Sequence, residues 1–190
     1  SNLKKLDNFL AKNILKIEKI LKNFVKDVYI ILDDKEFFPI EISIKKDHNG
    51  NSISQENLIN PLNVLKNLCQ FSFKDKKIIH MLIENYQIDG KDYSFLPENL
   101  KCNNFSLDIK FICLSKNLIE HYEIILKRYH ILVNQILNAE YIEQFQDQQN
   151  PNIYTTASRI ISGYNNNEIS LVNKTLKSKG FFEKFFDLFS

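Results

Sequence analysis

Residues 77–88 read Lys-Ile-Ile-His-Met-Leu-Ile-Glu-Asn-Tyr-Gln-Ile and are closed by Asp89-Gly90. A long run of β-branched and apolar side chains ending in a turn pair predicts one long strand with a sharp reversal after it. A second such run lies downstream, where Phe105, Leu107, Ile109, Phe111 and Cys113 alternate with polar residues. A polar connection carrying Pro97 separates the two. Upstream, Val28-Tyr29-Ile30-Ile31-Leu32 reads as a buried strand ending at Asp33-Asp34. Ile40, Ile42 and Ile44 alternate with Glu41, Ser43 and Lys45 as a half-exposed strand, and Pro39 places its start at an edge or bulge.

Helical spacing fills the intervals. Leu3, Leu6, Leu10, Ile14, Ile17, Leu21 and Phe24 recur every three or four residues, predicting a helix over 3–25 with one apolar face. After the loop at 47–51, Ser52 or Ser54 offers an N-cap to a helix bearing Leu58, Leu62, Leu65, Leu68 and Cys69. Pro61 is expected to confine that helix to its downstream part. Residues 116–130 return to helical spacing through Leu118, Tyr122, Ile125 and Tyr129, and the following ILVNQIL fits either helix or strand. The order is helix, two strands, helix, two strands, helix: an α+β fold of two layers, with a helix on one face of a mostly antiparallel sheet. Residues 1–140 make this module, and 141–164 hold a Gln/Asn-rich linker with a short helix ending at Gly163. Residues 165–179 read as a flexible linker and 180–190 as a terminal amphipathic helix.

Composition narrows the chemistry. At 190 residues, with 44% hydrophobic and 12% aromatic side chains, the chain can bury a real core. A net charge of +2 does not mark a nucleic-acid binder, and Arg occurs only at Arg128 and Arg159, so no nucleic-acid partner is expected. Cys69, Cys102 and Cys113 form no CxxC pair and read as free thiols of a reducing compartment. The opening Ser1-Asn2, without Met, is expected of a processed chain or a fragment. Gly50, Gly90, Gly163 and Gly180 stand apart, so no phosphate loop is present and no nucleotide cofactor is expected. His48, His80, His121 and His130 form no metal-ligand pair, and His80 reads as a satisfied histidine of the core or sheet face. Asp33-Asp34 and Asp89-Gly90 read as turns, not as a carboxylate pair. No catalytic or metal residue is assigned, and an enzyme is not expected.

The sharpest pattern lies at the end. Phe181, Phe182, Phe185, Phe186 and Phe189 fall on one face of a helix, with Glu183, Lys184 and Asp187 on the other. Lys174, Lys177 and Lys179 just upstream, together with Lys184, suit anionic headgroups, at about 1 kcal/mol each near the surface. Such a helix would lie in the membrane interface, not span it. It is too short to be stable alone in water and needs an apolar partner. The alternative is a helix docked on its own domain. One short helix binds bilayers weakly, so several copies on one assembly would be needed, and self-association belongs to the reading.

Ile78 to Gly90, IIHMLIENYQIDG, resembles the segment "ilHvlpqeYivDG" of the FtsA family of bacterial cell-division proteins, matching at His80, Tyr86 and Asp89-Gly90. Residues 106–115 fall where that family's next strand belongs, and 151–164 resemble an element near its C-terminus. The resemblance implies the inserted 1C subdomain, an SHS2-type fold, as a remnant of an actin-like protein. It also favours a strand at 131–137 and a terminal membrane-targeting helix. The phosphate loops and most of both actin-like lobes have no counterpart. ATP would belong only to a longer form that has them, and the family's binding of the FtsZ C-terminal peptide is not carried over. What the resemblance does imply is a divisome scaffold, peripheral on the cytoplasmic face of the inner membrane. Its partners would be membrane lipids, divisome proteins and copies of itself. The rival readings are a PilM-like pilus-assembly scaffold, an actin-like ATPase whose lobes lie in a longer form, a helical adaptor that dimerises through residues 1–25, and a soluble interaction module with no membrane role.

Overall fold

The computed structural model describes residues 2–169 and residue 171. Among them are five helices and two sheets, an α+β fold. The six strands do not share one sheet. β2 (Phe38–Asp47), β5 (Asn104–Ser115), β3 (Lys76–Ile88) and β4 (Lys91–Tyr93) form an antiparallel sheet in that spatial order. β1 (Asp27–Leu32) and β6 (Leu132–Asn138) pair separately and in parallel. Parallel neighbours need a long crossover, and here the whole four-stranded unit is inserted in it.

The decisive stretch is β3, as its pattern predicts. Ile88 pairs with Lys91 across a two-residue loop in which Asp89 and Gly90 have φ of 46° and 82°. Two positive-φ residues are the signature of a type I′ hairpin, which explains the Asp-Gly pair. The Asp89 carboxylate also accepts the N–H groups of Asn103 and Asn104, tying the hairpin to the start of β5. β2 lies at the edge, which Pro39 tolerates because β5 covers one side only.

α2 (Gln55–Ser72) covers one face of this sheet. Ser54 begins it, with its N–H and hydroxyl both donating to Asn57 Oδ1 at 2.7 and 2.9 Å. Leu58, Leu62, Leu65 and Cys69 meet Phe105, Leu107, Ile109, Phe111 and Cys113 of β5 and Met81, Ile83 and Tyr86 of β3. Pro61 does not confine the helix to its downstream part. It sits inside the helix and is buried with Leu58 and Leu62, and that packing offsets the lost backbone bond. Leu68, grouped by spacing with the inward set, is instead 49% exposed.

The other face of the sheet is apolar only toward one end. There Ile79, Ile112 and Leu114 meet α3 (Lys116–Lys127), β6, α4 (Ala139–Glu143) and α5 (Ile153–Ile161). α1 (Asn2–Leu21) packs Leu10 with Ile125, Leu126 and Ile131 beside α3. It stops at Leu21, short of the expected end, because Lys22 turns left-handed (φ 54°) and the Asn23 N–H reaches back to the Glu18 carbonyl. β1 is half-exposed, not buried, with Tyr29 open to solvent. α5 ends at Ile161, and Gly163, the expected end, follows two residues on with a left-handed φ of 86°.

Residues 165–169 depart from the expected linker. Ile83 N–H donates to the Asn167 carbonyl (2.9 Å) and Ile169 N–H to the Met81 carbonyl (2.8 Å), so the chain pairs with β3. Ile169 enters the core beneath α2 and Leu171 packs against it. A stretch polar enough to read as a spacer thus carries one apolar anchor.

Candidate functional site

Where the paired segment meets β3, polar side chains gather inside the protein. His80 is fully buried at a bulge in β3. The Asn138 backbone N–H donates to its Nε2 at 3.1 Å. That contact makes Nε2 the acceptor, so the proton sits on Nδ1 and is donated to Glu168 Oε1 at 2.6 Å. The Tyr141 hydroxyl donates to Glu168 Oε2, also at 2.6 Å, and accepts from Asn165 Nδ2 at 3.0 Å. Asn138 in turn caps α4, its side chain accepting the Tyr141 N–H at 2.7 Å. Burial, and next the Glu168 charge, push the Tyr141 phenol far above its usual range.

A carboxylate oriented on an imidazole suggests acid–base chemistry, but the far nitrogen must face a substrate or nucleophile for that. Here it faces a backbone N–H, and the ring has no exposure. The cluster is a clasp that joins β3, the β6–α4 corner and residues 165–168. His80 is therefore a satisfied core histidine, as its strand position suggests.

The thiols are equally enclosed. Cys69 and Cys113 are buried and hydrogen-bonded to each other across the α2–β5 contact. Burial, then the neighbouring Cys69, push the Cys113 thiol up to about 12, and burial also raises Cys102. Thiols held protonated are poor nucleophiles. Among the described residues no three His, Cys, Asp or Glu side chains gather as metal ligands, and no helix is long and apolar enough to cross a membrane.

The surface offers a different kind of site. Val64, Leu68 and Phe71 follow each other at four and three residues along the outer face of α2, and Phe71 is 72% exposed. Lys74 Nζ stands 4.9 Å from the Phe71 ring centre. Phe38, also exposed, meets Phe73 at 5.8 Å between ring centres at the end of the helix. An apolar ridge of this kind, edged by cations, is suited to protein contact. The sequence signal for it was the surplus of apolar residues on α2, more than one face can hold. The membrane-binding residues expected from sequence, Phe181, Phe182, Phe185, Phe186, Phe189, Lys177, Lys179 and Lys184, lie outside the described residues.

No protein-family model matches the chain, and no curated protein matches it significantly.

Proposed function

We propose that the chain is a non-enzymatic scaffold of bacterial cell division that resembles FtsA and works at the cytoplasmic face of the inner membrane. The observation that carries this reading is the arrangement of the inserted unit: α2 over a four-stranded antiparallel sheet, set between the parallel strands β1 and β6. That arrangement fits an SHS2-type 1C subdomain entering and leaving an actin-like remnant. On this reading the Val64–Leu68–Phe71 ridge meets divisome proteins or a second copy, and Phe181, Phe182, Phe185, Phe186 and Phe189 enter the inner leaflet. The clasp gives the two parts a mechanical link, because a tail held at the membrane would load β3 through Glu168 and Ile169.

The test is flotation of the full chain with anionic liposomes beside a Phe182→Glu, Phe185→Glu variant. The variant is expected to bind at least tenfold more weakly, and equal binding would refute the membrane role. Leu68→Glu with Phe71→Glu is expected to leave the melting temperature unchanged and to abolish self-association on liposomes, read by crosslinking. Unchanged crosslinking would rule out the α2 ridge as the self-association surface.

A further inference from the structure

The outer face of α1 combines features that its packing role does not use. Lys4, Lys5, Lys12, Lys16 and Lys19 are all exposed, as is Lys22 just beyond the helix, and none makes an ion pair among the described residues. Both acids of the helix are turned away and engaged. Asp7 accepts from the Tyr129 hydroxyl and pairs with Arg128 at 3.0 Å, and Glu18 accepts the Val25 N–H at 3.1 Å. The outer stripe is thus cationic without internal compensation. Among these lysines stand Phe9, Leu15 and Ile20, the last two 77% and 79% exposed. Lys5, Phe9, Lys12, Leu15, Lys16, Lys19 and Ile20 are related by three, four or seven residues and share one face.

We propose that this face of α1 is a contact surface for an anionic bilayer. Lysines close to acidic headgroups supply the attraction, and apolar side chains between them reach the acyl boundary. The apolar members are what favour a bilayer over a nucleic acid, which needs only the charge. The surface is a second membrane contact, on a different element from the C-terminal phenylalanines and independent of them.

The test uses the full chain carrying Phe182→Glu and Phe185→Glu, so that the tail is silent, with vesicles of phosphatidylglycerol in phosphatidylcholine. This chain is expected to retain binding that vanishes on pure phosphatidylcholine. Adding Lys12→Glu, Lys16→Glu and Lys19→Glu is expected to weaken it roughly a hundredfold. Adding Leu15→Ser and Ile20→Ser instead is expected to weaken it roughly tenfold. Circular dichroism should show the same melt for the α1 variants as for the tail-silent chain, since Lys12, Leu15, Lys16, Lys19 and Ile20 are all exposed. No binding by the tail-silent chain, or binding indifferent to the lysine changes, overturns the proposal. So does binding that ignores the serine changes while a short DNA duplex binds equally well, which would make the face a general polyanion site. Failure of the scaffold reading shows instead in the comparison of the unaltered chain with the tail-silent one.

Discussion

His80 has both ring nitrogens committed, one to the Asn138 N–H and one to Glu168. Removing the ring strands a buried backbone donor and takes from the Glu168 carboxylate one of its two close partners, the other being the Tyr141 hydroxyl. His80→Ala is therefore expected to cost about 3 kcal/mol in urea unfolding, from the stranded donor and the cavity together. A cost below about 1 kcal/mol would show that the cluster is not a clasp. The fold also holds Cys113 and Tyr86 protonated, each pushed up to about 12 from 9.0 and 10.0, mainly by burial. A group whose folded value is raised stabilises the fold fully below its unfolded value and loses that contribution as pH rises toward the folded one. Stability is thus expected to fall as pH climbs from about 9 to 12. Cys113→Ala should shrink the loss that begins near pH 9, leaving the share of the other raised thiols, as seen in urea midpoints against pH. At this scale, the strand pattern marked His80 as a satisfied histidine of the core or sheet face, and the structure puts it in the core. The pattern could not show the partner, because Glu168 lies 88 positions away in a stretch that composition marks as a spacer.

α2 and the 165–169 segment show what local pattern can and cannot carry. The spacing of Leu58, Leu62, Leu65 and Cys69 located the buried stripe, and of the two serines offered as N-cap, Ser52 and Ser54, the structure uses Ser54. The same spacing admitted Leu68, because a helix with apolar residues on two faces has no unique inward stripe until the sheet chooses one. β1 was misjudged for a similar reason. A short continuous apolar run fits a buried strand, but among the described residues the strand pairs with β6 alone and lies half open. Ile169 is a single apolar residue in polar surroundings, and no periodicity reveals one residue. Its role makes a prediction about the element. Ile169→Ala is expected to lower global stability by about 2–4 kcal/mol. It should also raise hydrogen exchange at the Ile83 amide, which donates to Asn167, more than at amides between β3 and β5. Uniform acceleration across both sets would mean the segment is not a separate latch.

For the molecule as a whole, the α+β class and the succession of long elements through α3 were readable from apolar pattern. β6 was not, because ILVNQIL fits helix and strand alike, and β4 and α4 are too short to carry a period. The division into two sheets was not, since it depends on β1 finding β6 across about a hundred intervening residues, a domain-sized separation. On the proposed function, the C-terminal phenylalanines serve the bilayer and the α2 ridge serves protein partners, while the buried clasp ties residues 165–168 to β3. The liposome interaction bears the most weight. Co-sedimentation with anionic liposomes should compare the intact chain with one ending at Lys179, at matched protein and lipid. The account predicts that the intact chain pellets at least tenfold more strongly, leaving the shortened one with only the weak salt-sensitive binding assigned to α1. Equal pelleting of the two, or none by either, would contradict a membrane-held scaffold and leave a soluble α+β interaction module.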